Sequence, residues 1–261
     1  METTGHTPEI ATTGHHDAVV VSNLSRRFGR RWALINVDLS VPRGRALMIA
    51  GHNGSGKSTL LRVLSTAIRA DRGNVLIEGF DTRRQADEVR RRIALLGHYS
   101  NTYEAMTAYQ NLAVAASMLG VRSDRSAMVS LLDRVGLAHR VDDPVSSFSA
   151  GMRKRIAFAR LLLQVDGIEG SIPTTRASVV MLDEPYGQLD PQGFHFVDDL
   201  ILSLKDRGLT ILIATHLLDR GGSLCDDGVV LQNGRVSWEG RSADLHREGG
   251  LDPIRVPEGV A

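Results

Sequence analysis

The stretch Gly51-His52-Asn53-Gly54-Ser55-Gly56-Lys57-Ser58-Thr59 constrains this chain more than any other, because it fits the pattern G-x-x-x-x-G-K-[ST]. The residues before it, Arg45-Ala46-Leu47-Met48-Ile49-Ala50, read as a strand, and those after Lys57 (Ser58 to Leu64) are helical in pattern. A strand, a glycine-rich turn and a helix in that order make a phosphate-binding loop. Glycines let backbone N–H groups close round phosphate oxygens with no Cβ in the way, and the helix N-terminus adds positive potential. Lys57 would reach the β- and γ-phosphates, and the Ser58 hydroxyl would be a ligand of Mg²⁺. The expected ligand is a nucleoside triphosphate.

A second element carries the chemistry. Val179-Val180-Met181-Leu182 is an apolar run that ends in Asp183-Glu184-Pro185. Four consecutive apolar residues suit a central strand of a parallel sheet, covered on both faces. Such sheets place ligands at the carboxyl ends of their strands. Asp183 would hold the metal, directly or through water. Glu184, the acid that follows it, would act as general base or water-positioner.

Between these elements lies Phe148-Ser149-Ala150-Gly151-Met152-Arg153-Lys154-Arg155, opening a helix that runs through Leu163. Ser149 at its N-cap would offer a hydroxyl, backbone N–H groups and a helix dipole to an anion. Here the chain resembles the ATP-binding subunits of ABC transporters, whose signature is written Leu-Ser-Gly-Gly-Gln. Ser149 and Gly151 match that signature, while Ala150 and Met152 replace its first Gly and its Gln. Tyr186-Gly187-Gln188-Leu189-Asp190-Pro191 is similar to the family's D-loop, with Asp190 at the matching position. Leu209 to Thr215 reads as another buried strand, and it leads into His216, where the family keeps a switch histidine on the γ-phosphate. Phe28 resembles the A-loop aromatic that stacks on adenine. The likeness runs from about Val19 to Glu239.

Two departures stand out. The family's Q-loop glutamine falls at His98, in Leu95-Leu96-Gly97-His98-Tyr99-Ser100-Asn101. A histidine there can still offer a nitrogen to metal or water. This segment resembles ATP-binding subunits of the haem-exporter (cytochrome c maturation) type. The other departure is Gln164–Ala177, whose Gly, Pro and Thr predict a surface loop before the metal-binding strand.

The resemblance implies an α/β fold of the P-loop NTPase, ABC ATPase type: a mostly parallel core sheet, an antiparallel β subdomain and a helical lobe at about residues 100–163. It implies ATP and Mg²⁺ as cofactors and a head-to-tail pair of ATP-binding chains, most simply a homodimer. Each nucleotide then lies between one chain's phosphate loop and the other chain's Ser149 and Gly151. It also implies separate transmembrane permease subunits as partners, and a cytoplasmic place on the inner face of the cell membrane. The alternative in the same family is a soluble ATPase of translation or DNA repair. Those usually carry two motif sets or a long coiled-coil insertion, and neither is present here. A P-loop kinase would explain Gly51–Thr59 but leave Ser149, Gly151, Asp190 and His216 without a role.

Composition fits that frame. At 261 residues the chain can bury one core or one core with a small lobe. A formal net charge of +1 provides no basic field for nucleic acid. The single Cys225 excludes an internal disulfide. The longest apolar stretch, about Leu112 to Val121, falls short of the roughly 20 residues a membrane helix needs. Residues 1–17 are expected to be a disordered tail, 18–240 the ATP-binding domain and 241–261 a C-terminal tail. Asn233-Gly234 predicts a type I′ hairpin turn near the end of that domain.

Overall fold

Each of the central strands is buried from end to end, which is what apolar runs with helices on both sides require. The computed structural model describes residues 17–121, 124–167 and 177–245. β1 (Asp17–Phe28) and β2 (Arg31–Pro42) form a long antiparallel ribbon, followed by β3 (Ala46–Ala50) and α1 (Lys57–Leu64). β4 (Arg72–Ile77) and β5 (Phe80–Asp81) return to the ribbon, giving a four-stranded antiparallel sheet in the order β2-β1-β4-β5. The short α2 (Ala86–Arg90) leads into β6 (Ile93–Leu96).

The helical lobe comprises α3 (Ala108–Met118), α4 (Arg125–Arg134) and the start of α5 (Ala150–Asp166). Thr107 and Gln110 form a reciprocal capping box on α3, and Asp124 caps α4. The apolar stripe of α3 is buried at Leu112, Ala115 and Ala116, with Leu119 packed against the same core. The chain then makes β7 (Val179–Asp183), α6 (Pro191–Asp206), β8 (Thr210–Ala214), α7 (Leu218–Leu224), β9 (Asp227–Gln232) and β10 (Arg235–Arg241).

The larger sheet has the order β10-β9-β3-β8-β7-β6, parallel except for the hairpin strand β10. It separates two cores, and strand alternation divides side chains between them. In β3, Ala46, Met48 and Ala50 face the helical-lobe core, while Leu47 and Ile49 face the core beneath the antiparallel sheet. Asn233 and Gly234 turn the final hairpin with φ of 50° and 77°, as a type I′ turn demands.

Adjacent pairing of β3, β8 and β7 decides where chemistry can happen. Ile49 pairs with Ala214, and Ala214 pairs with Asp183, so the three strand ends lie level. The loops leaving them begin at Gly51, Glu184 and Thr215. Motifs far apart in sequence therefore emerge side by side.

Three boundaries differ from the sequence reading. Asp17, expected in the N-terminal tail, is the first residue of β1 and pairs with Pro42. The loop expected from Gln164 starts later, because α5 continues through Asp166 to Gly167, whose φ is 70°. Val165 keeps the apolar face buried, and Asp166 is held by Arg134 and Arg207 at 2.6 Å each. Arg241, expected to open the C-terminal tail, closes β10, and the next turn buries Ser242 and Leu245. Residues 1–16, 168–176 and 246–261 lie outside the described residues, and with them most of the expected tails and of the expected insertion. No helix among the described residues is long and apolar enough to cross a membrane. Cys225 is buried, and burial pushes its thiol up to about 12.

Candidate nucleotide site

The turn after β3 is held in a shape that only glycine permits at two of its corners. Gly51 has φ 144° and Gly56 has φ 116°. A Cβ on Gly51 would come 2.4 Å from the Leu231 carbonyl oxygen, and one on Gly56 would come 2.7 Å from that of Ala33. The loop is braced from outside: Gly234 N–H donates to Ser55 O at 3.0 Å, and Ile35 N–H donates to Gly234 O at 2.8 Å. The hairpin turn Asn233-Gly234 thus supports the loop, a role no local sequence signal reveals. His52 and Asn53 lie on its outer side, where His52 Nδ1 is 2.7 Å from Asn53 O. Thr59 is half-buried in the first turn of α1.

Lys57 bends back over its own loop, its Nζ donating to Gly51 O at 2.7 Å and to His52 O at 3.3 Å. Its side chain is buried, and burial lowers its pKa against the pull of Glu184 and Asp183. The Ser58 hydroxyl donates to Asp183 Oδ1 at 3.0 Å. Asp183 is also buried, and desolvation raises its pKa while the Ser58 hydrogen bond and the nearby His98 lower it.

Glu184 follows in a left-handed conformation, φ 48°, uncommon for a residue with a side chain. Its N–H donates to Ala214 O at 2.8 Å, which fixes it to the end of β8. One carboxylate oxygen, Oε2, is 2.9 Å from His216 Nδ1. The other, Oε1, stands 3.7 Å from Lys57 Nζ, an ion pair beyond hydrogen-bond length. Five buried side-chain polar atoms among the described residues lack a hydrogen-bond partner, and this Oε1 and Ser55 Oγ are two of them. Buried polar atoms are rarely left so, and here both border the phosphate loop. An oxyanion with an attacking water, and a metal beside Ser58 and Asp183, would supply what these groups lack.

His98 lies in the same place. With Ser58, Asp183, Gly97, Tyr99 and Asn101 it lines a cleft of about 400 Å³, and its ring meets Tyr99 edge-on at 5.0 Å. Phe28 ends β1, half exposed, with the Arg26 guanidinium 4.8 Å over its ring.

Three expected site residues are occupied elsewhere. Ser149 Oγ accepts from Met152 N–H at 3.2 Å as the cap of α5, which leaves its own proton free to donate. Gly151 packs against the Gln188 carbonyl, close enough that a Cβ would sit 3.1 Å from it. Asp190 caps α6, accepting from Gly193 N–H at 2.7 Å. Ser149, Gly151 and Asp190 therefore gather around the D-loop rather than on this chain's phosphate loop.

Sequence reasoning passed over Lys154. Its Nζ donates to Glu184 O at 3.1 Å, and burial lowers its pKa to about 8 against the pull of Asp183 and Glu184. A signal existed: Lys154 shares a helical stripe with the buried Ala157, Phe158 and Leu161.

Residues 34–187 match the ABC transporter family. The daunorubicin resistance ATP-binding protein DrrA3 of Streptomyces coeruleorubidus is 38% identical over 241 residues, 92% of this chain and 73% of that protein. The lantibiotic transport ATP-binding protein SrtF of Streptococcus pyogenes is 31% identical over 219 residues, 84% of this chain and 89% of that protein. Among solved structures, an ATP-binding subunit of an ABC transporter superposes with a TM-score of 0.77 at 28% identity, covering 90% of this chain and 94% of that one. A phosphate loop, two acids and a histidine brought to one end of a parallel sheet, together with these likenesses, place the chain in the ABC transporter family as an ATP-binding, ATP-hydrolysing subunit.

Proposed function

We propose that this chain is the ATP-driven motor of an exporter, working as a pair of identical chains beneath separate transmembrane permease subunits. The observation that carries the reading is the meeting of Lys57, Asp183, Glu184 and His216 at the mouth of the Gly51–Gly56 loop. Phe28 stacks the adenine and Gly51 through Thr59 bind the phosphates. Ser58 and Asp183 would hold a Mg²⁺, which when bound would offset the negative charge of the phosphates. Glu184 accepts the proton of the attacking water, with His216 fixing its carboxylate through Oε2.

Ser149 and Gly151 face the γ-phosphate of the opposite chain. Support for this comes from what they lack at home: they sit away from their own phosphate loop, yet the Ser149 hydroxyl keeps a proton to donate. ATP then favours the paired state because it gains contacts there that one chain cannot provide, and hydrolysis removes them.

The cargo class rests on relatives. Those named for daunorubicin resistance and lantibiotic transport support a drug-like or lantibiotic-like cargo. They lend no support to haem export, the reading drawn from the His98 segment, and they do not favour a soluble ATPase of translation or DNA repair. Purification of the tagged chain from its native membranes in gentle detergent is expected to bring a polytopic membrane protein in stoichiometric amount. Recovery of ribosomal or DNA-repair proteins in its place would overturn the transporter reading.

His98 takes the coupling role of the family's glutamine, since it shares its cleft with both metal-site residues. Its loss is expected to leave ATP affinity within about 3-fold while turnover falls roughly 10-fold, as for the loss of one polar contact made at the reacting centre. Unaltered steady-state hydrolysis and transport in His98→Ala would remove it from that role.

A further inference from the structure

Three charged side chains are buried among the described residues: Lys57, Lys154 and Asp183. All three converge on Glu184 or its neighbour, and two of them have roles in the proposed site. Lys154, at 2% exposure, has none.

Satisfying a carbonyl does not account for it. The Glu184 oxygen that accepts from Lys154 Nζ also accepts from Gly187 N–H at 3.1 Å, so an apolar side chain at 154 would leave no acceptor orphaned. Desolvating an ammonium costs free energy that a Leu or Met would not incur. The opposing acids, Asp183 and Glu184, offset part of that cost.

What Lys154 does join is two elements that must act together. It stands in the second turn of α5, whose first residues follow Ser149, and it grips the main chain of Glu184, the non-glycine site residue held at positive φ. Apart from Lys154, the Glu184 backbone is held among the described residues by its own N–H on Ala214 O and by the Gly187 N–H on its carbonyl. A shift at the start of α5 is therefore passed to the Glu184 main chain directly through this hydrogen bond, beside the packing of Gly151 on the Gln188 carbonyl further along the same loop.

We propose that Lys154 is a positioning residue for hydrolysis, its ammonium tying the first turns of α5 to the Glu184 main chain and so setting where the Glu184 carboxylate stands. This rests on the reading of Glu184 as the base. It gives the helix that begins at Ser149 a direct mechanical hold on the hydrolytic carboxylate, so that engagement of Ser149 by the opposite chain's nucleotide sets the base in place.

The test compares Lys154→Met, which keeps the stem and removes the donor, with Lys154→Arg, which keeps charge and donors. Steady-state ATP hydrolysis and equilibrium ATP binding are measured on the full chain. A displaced catalytic group typically costs about 10- to 100-fold in rate, so kcat of Lys154→Met is expected to fall by that factor. KM and the Kd for ATP should stay within about 2-fold, and Lys154→Arg should recover at least a third of the lost rate. Unaltered kcat, or kcat and ATP affinity falling together with no recovery in Lys154→Arg, would overturn the proposal. Should Lys154→Met fail to fold, Lys154→Gln decides: reduced kcat at unaltered Kd upholds the proposal and unaltered kcat ends it. Glu184→Gln is run alongside. If it retains normal turnover the reading of Glu184 fails first, whereas a dead Glu184→Gln beside a normal Lys154→Met overturns the Lys154 proposal alone.

Discussion

Glu184→Gln is expected to bind ATP with near-normal affinity and to hydrolyse it about 10²- to 10⁴-fold more slowly, the range a positioned general base contributes. The substitution is nearly isosteric. Glu184 Oε2 faces His216 Nδ1 at 2.9 Å, and an amide can keep that contact with either of its ends, given the matching imidazole tautomer. The main-chain bonds to Ala214 and Lys154 do not involve the side chain, so the left-handed turn at 184 persists. What disappears is the carboxylate's negative charge and basicity, with Oε1 the buried oxygen facing Lys57 at 3.7 Å. Phosphate release measures the loss. Size-exclusion chromatography with ATP should also show an accumulated dimer, since the closed state would form and fail to reopen. Normal phosphate release would take Glu184 out of the role of base.

Lys57→Ala acts one step earlier. The ammonium already rests on the Gly51 and His52 carbonyls inside the loop, where it waits among acceptors that phosphate oxygens would outcompete. Hydrogen bonds to charged groups contribute about 1.5–3 kcal/mol, which corresponds to a loss of roughly 10- to 100-fold in ATP affinity. Lys57→Arg is not expected to rescue it: the side chain is 6% exposed and a planar guanidinium needs more room than a compact ammonium. Equilibrium titration with a fluorescent ATP analogue checks both variants. Wild-type affinity in Lys57→Ala would remove the lysine from phosphate binding.

The candidate site was legible where local pattern and chemistry coincide. The Gly51–Thr59 loop, the acids after Val179–Leu182 and the N-cap Ser149 each carry a residue type that only a few local geometries explain. Lys154 was not legible, because a lysine on a helix is usually solvated and only its place on the buried stripe spoke otherwise. The support that Gly234 gives to Ser55 was invisible for a different reason. It joins residues 179 positions apart, and no local propensity encodes such a contact.

Periodicity and turn chemistry by themselves determined the elements: apolar runs made parallel strands, Asn233-Gly234 made a hairpin, and glycines at fixed offsets made the phosphate loop. The helix end at Asp166 was decided by tertiary contacts instead, since Val165 packs into the core and Asp166 pairs with arginines from α4 and from the end of α6. Which strand ends stand level was likewise decided only by the fold. The order β3-β8-β7 brings Gly51, Glu184 and His216 together, and strand order follows from how two cores close over one sheet rather than from any single segment.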